Sequence, residues 1–433
     1  MNQLQKKLNL YGLTMIAVGA CIGSGIFRSP AEVAEVLPNH LLILLVWSLG
    51  GIIALTGALT FSELGGMFPK AGGVYVYLRE AYGDIAGFLY GWVILLVINT
   101  GALAALAITF ADYMTYFIPM QQGTKVLLAA LTIAGLTAIN ILGVSISQIF
   151  ANVFTSLKLL AIAGIILVGL IHYDAAKVQL DFSFGQNSES LLSGMLLALI
   201  GVLWSFGGWH HATYLSGEAI NARRDVPRAM IYGVLIVTVT YVLVNLAYMM
   251  LLPLPEIAAS EKVAGDAIAQ VLPYGGQLVA IAIAISIFGT IGIYTMTAPR
   301  IYFAMAKDGV FFSKLAEVHP TFRTPMYAML TQAIWAILLL FVWGSFGNLI
   351  TYVTFMDIIF MAMAGFSIFL FRKNRKTQER PVLAWGYPWI PLIFFSISTA
   401  FVVSTLVEKP IQAVAGLVVL GLGLPVYLYF KKS

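Results

Sequence analysis

The chain has 433 residues, 60% of them hydrophobic and only 10% charged, with a mean hydropathy of +0.91. A soluble globular domain carries about 25% charged residues, so a single water-soluble domain is excluded and an all-α polytopic membrane protein is expected. The net charge of +5 is no nucleic-acid signal, because the basic residues sit in short loops between apolar segments. The single cysteine, Cys21, excludes an intramolecular disulfide and says nothing of the redox compartment.

Apolar segments of about 20 residues can each cross a bilayer as a helix. Twelve are read in chain order, at 9–36, 40–67, 85–117, 124–143, 147–172, 190–219, 227–252, 275–304, 324–344, 347–371, 386–407 and 410–430. The leading "MNQLQKK" runs into the first span with no small-residue cleavage site, so no cleavable signal peptide is expected. With the N-terminus inside, 18 of the 24 Lys and Arg fall on inner loops and termini, against four outside at Lys125, Lys177, Lys262 and Lys409. This bias places both termini in the cytoplasm and favours an even number of spans.

The first span reads "AVGACIGSGIF" over residues 17–27, with Gly19, Gly23 and Gly25 in its middle. Each glycine costs about 1 kcal/mol in a helix interior. One reading is close helix packing by small residues. The other is an unwound segment, where a second half-helix starting near Ile26 points its positive end at a carboxylate. Carbonyls near Ile22 and Phe206 would then be free for an ammonium. The sixth span repeats the break, in "LWSFGGWHHATYL", with Gly207 and Gly208 flanked by Phe206 and Trp209. Two such breaks five spans apart predict two five-helix repeats of inverted topology, the leucine-transporter-like fold with helices 1 and 6 unwound. The first repeat covers 1–172 and the second 173–372, with helices 11 and 12 in 373–433. The ligand such a pair of breaks would hold carries both a carboxylate and an ammonium, as an amino acid does.

Charges at helix centres are costly and mark function unless they escape to an interface. Lys158 stands alone in "FTSLKLLAIAG" of the fifth span. His210 and His211 follow the sixth-span break, and adjacent positions on a helix point to different faces, which disfavours a metal site. They serve either loosened backbone or the ligand. Arg28 lies one turn beyond the first break, and Asp357 lies in "YVTFMDIIFMAMAG" of the tenth span. Both are placed in the outer half, so they are expected to meet as an outer gate; otherwise Arg28 faces a vestibule and Asp357 pairs elsewhere or binds a proton. Glu218, Arg223, Arg224 and Arg228 are expected to form an inner ion-pair network, with gating support from Lys70, Arg79 and Glu80.

Several stretches in this order resemble the amino acid–polyamine–organocation (APC) superfamily. They are "GSGIF" at 23–27, "FPKAGGVYVYLREAYG" at 68–83, "FLYGW" at 88–92, "FGGW" at 206–209, "EAINARRDVPRAM" at 218–230, "YVLVNLAY" at 241–248 and "HPTFRTP" at 319–325. Within the superfamily the chain is similar to the L-type amino acid transporter family and to bacterial serine/threonine or alanine-serine-cysteine exchangers. The resemblance implies that Gly23, Ser24 and Gly25 bind the substrate α-carboxylate and that the Ile22 and Phe206 carbonyls bind its α-amino group. It implies Phe206 as an aromatic lid, also serving the outer gate, and Ile98, Gly101 and Ala102 as a small apolar side-chain pocket. By the same resemblance Lys158 occupies the cation site of sodium-coupled relatives, held by the Gly19–Ile22 carbonyls with Tyr241 and Thr290. Arg28 and Asp357 resemble the arginine and aspartate that close the outer side of those relatives. His210 stands where human members carry an amide.

The function expected is sodium-independent transport of neutral L-amino acids across a bacterial plasma membrane by alternating access, in exchange mode. The alternatives are a proton-coupled symporter using Lys158 or Asp357, and a nutrient sensor of the same fold without flux. An intramembrane enzyme is disfavoured, since there is no HExxH motif and no catalytic partner for Ser24. A channel is disfavoured because broken helices build one occluded site. No cofactor, metal or nucleic acid is expected. The partners are the substrate and the lipid bilayer, with no disulfide-linked subunit, because no cysteine lies outside.

Overall fold

The computed structural model describes residues 3–175, 178, 180–181, 188–342, 346–408 and 410–432; Lys177 and Lys409, counted above, lie outside the described residues. The chain folds into helices α1 (Leu10–Cys21), α2 (Gly25–Val36), α3 (His40–Met67), α4 (Val74–Tyr82), α5 (Asp84–Met114), α6 (Gln122–Ile141), α7 (Val144–His172), α8 (Ser188–Ser205) and α9 (His211–Tyr214). It continues through α10 (Ala222–Leu251), α11 (Leu254–Ala259), α12 (Val263–Ala269), α13 (Gly275–Lys307), α14 (Met326–Val342), α15 (Phe346–Asn374), α16 (Trp389–Glu408) and α17 (Pro410–Lys432). Among the described residues, nine helices are long and apolar enough to cross a membrane, or ten when α1 and α2 count as one broken span. The polytopic membrane architecture expected from composition is therefore present.

The helices start where local chemistry lets them. Asn9 caps α1 by accepting from the Gly12 amide at 2.9 Å, and Asn39 caps α3 by accepting from Leu42 at 3.0 Å. Each cap satisfies one of the amides a helix N-terminus leaves over. Packing is inside-out only in part. The α1, α3, α5 and α13 helices are largely buried, whereas α7, α16 and α17 keep exposed Leu, Ile and Val along one side. Such apolar exposure suits lipid, which satisfies no backbone polar group and so demands helices.

Ion pairs gather at the end of the bundle that holds the N-terminus. Glu63 pairs with Arg372 (2.6 Å) and Arg380 (3.2 Å), Glu80 with Arg375 (2.8 Å), and Asp308 with Arg79 (2.7 Å). The Lys7 and Leu8 amides tie the N-terminal segment to the Glu218 carbonyl at 2.9 and 3.0 Å. The expected network among Glu218, Arg223 and Arg224 takes other partners. Glu218 pairs with Arg300, Arg223 with Glu379, and Arg224 with the adjacent Asp225. Sequence proximity hid these pairings because the partners come from α13, α10 and the segment before α16.

Candidate functional site

The first span is broken where the glycines lie. The Ile22 amide still bonds Val18 O (2.9 Å), Gly23 turns back to Cys21 O (2.9 Å), and α2 sets off from Gly25 at 43° to α1. The Phe27 amide turns back to Ser24 O at 3.2 Å, while the Gly25 and Ile26 amides before it have no backbone acceptor among the described residues and carry the positive end of the α2 dipole. A Cβ on Gly25 would stand 2.6 Å from Ser205 Oγ, so α2 crosses the end of α8 in close contact. A Cβ on Gly23 would meet nothing nearer than 3.8 Å.

The second break leans on the first. α8 ends at Ser205, the Phe206 and Gly207 amides bond Val202 O and Trp204 O, and Gly208 takes a φ of +109°. That left-handed backbone favours glycine, and a Cβ on Gly208 would lie 2.7 Å from the Ala20 carbonyl carbon and oxygen. The Cys21 thiol points to the Phe206 carbonyl at 3.6 Å. The Tyr241 hydroxyl reaches Cys21 O and Ser205 O, each at 3.0 Å, sharing its hydrogen between the last turns of α1 and α8. Tyr241 thus serves the breaks themselves and not Lys158, which corrects the partner expected for it.

Lys158 is 1% exposed, and its ammonium donates to Gly19 O (2.9 Å), Ile22 O (2.8 Å) and Thr290 Oγ1 (2.9 Å). An ammonium has three donors, so all are used. Thr290 and Ser286 add donors to the Ile22 carbonyl at 3.0 and 3.3 Å. With three donors on one oxygen, the Ile22 carbonyl is not open to a ligand, contrary to the expectation above.

A cavity of about 150 Å³ lies between the two breaks. Gly23, Ser24, Gly25, Ile98, Ala102, Phe206, Gly207, Gly208, Trp209, His210, Thr290 and Asp357 line it. Ile22 and Ile26 do not, their side chains being wholly buried, nor do Gly101, Lys158, Tyr241 and Arg28. Phe206 packs its ring 6.3 Å from Trp47 and 5.1 Å from Tyr241, between α3 and α10. His210 and His211 both reach the cavity, because the break replaces the regular helix on which they would diverge. His211 Nδ1 sits 2.7 Å from Thr297 Oγ1, whereas His210 Nδ1 is buried without a partner among the described residues. Among the described residues no group of His, Cys, Asp or Glu is disposed to hold a metal.

Arg28 and Asp357 are not brought together. Arg28 is 61% exposed at its side chain and faces Glu32, one turn on, at 3.9 Å. Asp357 turns into the cavity, within Coulombic range of Tyr90, Tyr214 and Tyr294, and its Oδ1 is buried with no partner among the described residues. Equal depth in the sequence did not give the same side of the helix.

The cavity also uses residues that pattern reading passed over. Tyr214 and Tyr294 line it, and the Tyr214 hydroxyl lies 2.6 Å from that of Tyr90. Asn99 lines it too, and bonds Gln332 Oε1 at 3.0 Å just after a turn of π-helix at Ile94–Ile98. Such turns often mark functional positions. A lone Asn in an apolar span was the available signal for it.

Two broken helices around one cavity, with an ammonium buried behind the first break, set the frame for comparison. The amino acid permease family model matches residues 8–420. The chain belongs to this family. The permease is 33% identical to the serine/threonine exchanger SteT of Bacillus subtilis (strain 168), over 100% of this chain and 98% of that protein. It is 31% identical to the b(0,+)-type amino acid transporter 1 of Mus musculus, over 94% of this chain and 84% of the other. To the human large neutral amino acids transporter small subunit 2 it is 32% identical, over 98% and 80%. These place the permease within the APC superfamily, among membrane transporters and not enzymes.

Proposed function

We propose that the permease exchanges small neutral L-amino acids across the plasma membrane by alternating access, without sodium. The observation that carries this reading is the pair of helix breaks opening on one cavity while Lys158 fills the space behind the first. An ammonium at that place supplies fixed positive charge to the Gly19 and Ile22 carbonyls, so no mobile cation is needed to hold α1 to α7 and α13. A relative named as a serine/threonine exchanger supports exchange of small substrates, and one named for large neutral amino acids supports a neutral substrate only.

In this reading the substrate carboxylate docks on the free amides at the start of α2, beside Gly23, Ser24 and Gly25. Its ammonium turns to the Phe206 carbonyl, whose only donor among the described residues is the weak Cys21 thiol at 3.6 Å, because Ile22 O is taken. Ile98 and Ala102 bound the side chain and keep it small. The wider architecture follows from the same reading. Twelve helices form inverted repeats over 1–172 and 173–372, with 373–433 added, and the positive charges hold the N-terminal face in the cytoplasm. With its one cysteine buried in the first span, the chain works without a disulfide-linked subunit.

Counterflow in proteoliposomes tests this. With no pH gradient, labelled alanine or serine should enter vesicles loaded with an unlabelled neutral amino acid faster than empty ones, equally in sodium and in choline. Steep sodium dependence, or preference for arginine or glutamate, overturns it. Binding without any flux would favour a sensor.

A further inference from the structure

Asp357 is a carboxyl group near the middle of α15, in the wall of the cavity, with Oδ1 buried and without a partner among the described residues. A carboxylate without a counter-charge is among the most costly groups to keep in a membrane. The groups that face it are neutral: Tyr90 from α5, Tyr214 from α9 and Tyr294 from α13. Of these, Tyr90 and Tyr214 already hydrogen-bond each other. His210 and His211 line the same space. Tyr82, from α4, donates to Met363 O at 2.8 Å, and Glu63 of α3 is held by two arginines. Of the nearby cations, Lys158 gives its three donors to Gly19 O, Ile22 O and Thr290 Oγ1, and Arg28 lies outside the cavity lining with its side chain exposed beside Glu32. A neutral amino acid brings no net charge to balance the carboxylate.

We propose that Asp357 is a proton-binding site, loaded from water when the cavity is open to one side and emptied to water on the other, so that each substrate crosses with a proton. On loading, a carboxylate oxygen takes H⁺ from a hydronium ion of the aqueous phase and forms one O–H bond; on release that bond breaks and the proton returns to water, with no oxidation or reduction. Exchange of like for like then moves no net proton, whereas net entry acidifies the vesicle. This rests on the transport reading above and adds a coupled ion to it.

The test uses full-length protein in proteoliposomes with a trapped pH indicator. Counterflow of labelled alanine first establishes transport, and its absence is a failure of the transport reading. Given counterflow, an inward proton gradient should drive alanine above equilibrium in vesicles holding no amino acid, and alanine entry should acidify the lumen. Wild-type alanine entry with no acidification overturns the proposal. In Asp357→Asn, acidification per alanine carried should fall to the leak of empty liposomes, and Asp357→Glu should retain it. An unchanged ratio in Asp357→Asn overturns the proposal. Should Asp357→Asn carry no alanine, the pH profile of Asp357→Glu decides: a displaced profile supports proton binding here, and an identical one overturns it. Loss of lysine uptake alone in Asp357→Asn would make this residue a substrate counter-charge and also end the proposal.

Discussion

Lys158 Nζ lies 2.8 Å from the carbonyl oxygen of Ile22, the residue at which the first span stops being helical. The ammonium therefore holds the loose end of α1 against α7, and through Thr290 against α13. Lys158→Met keeps the apolar stem and removes the three donors. Thr290 and Ser286 still serve Ile22 O, but Gly19 O keeps only the 3.3 Å contact from Thr290. Leaving buried acceptors short of donors costs about 1–3 kcal/mol, so the variant should fold with a lowered Tm. Exchange should fall further than stability does, because the break is no longer fixed to the helices that must sense it. Thermal unfolding and counterflow on one preparation check this; normal exchange would make Lys158 a packing residue.

Arg300 and Glu218 are both wholly buried and joined by two parallel bonds of 2.7 and 2.9 Å. Arg300 also donates to Met296 O, and the Glu218 backbone holds Lys7 and Leu8. The pair locks the segment after α9 to α13 at the N-terminal face. Glu218→Gln should cost about 3–5 kcal/mol, because it strands a buried guanidinium. The double variant Glu218→Leu, Arg300→Met should recover much of that loss. Apparent Tm in detergent is the readout, and a double variant no better than Glu218→Gln would contradict the argument.

What the sequence made legible was axial: which segments are apolar, where glycines interrupt them, and that Lys158 is the only Lys, Arg, Asp or Glu of its helix. Each of these is local, so each can be read from a window of residues. What stayed hidden was azimuth. Arg28 and Asp357 have similar depth, yet one faces Glu32 and the other the tyrosines, and only the packed helices fix that. Tyr241 was expected near Lys158 but reaches Cys21 O and Ser205 O, because α10 lies against α1 and α3 across a separation no pattern encodes. The π-turn at Ile94–Ile98 leaves no mark in hydropathy either, since its residues are as apolar as their neighbours.

Tyr241→Phe isolates one hydroxyl. Its hydrogen is shared by Cys21 O and Ser205 O, so both helix ends lose a donor while the ring keeps its edge contacts with Trp47 and Phe206. The expected stability loss is about 0.5–1.5 kcal/mol. The apparent KM should rise, because the two breaks are no longer tied to one point. An unchanged KM with a lowered Tm would confine Tyr241 to stability.

Gly23 and Gly208 separate the two readings of the glycine breaks, as packing devices or as a ligand site. Gly208 is confined twice over, by a φ of +109° and by the Ala20 backbone 2.7 Å from where a Cβ would stand. Backbone strain of that kind costs about 1–3 kcal/mol, and the clash would push α9 from α1, so Gly208→Ala should lower both Tm and yield. Gly23 has no such constraint, since its nearest neighbours, Leu106 and Thr290, leave 3.8 Å. Gly23→Ala should fold with an unchanged Tm. Its methyl, however, would project toward the cavity where a carboxylate must approach the amides of α2. Counterflow by Gly23→Ala should therefore show a several-fold higher KM, with competition by amino acids weakened more than that by the corresponding amines, which lack the carboxylate. If Gly23→Ala instead loses stability and keeps its KM, the glycines serve helix packing, and the carboxylate binds elsewhere in the cavity.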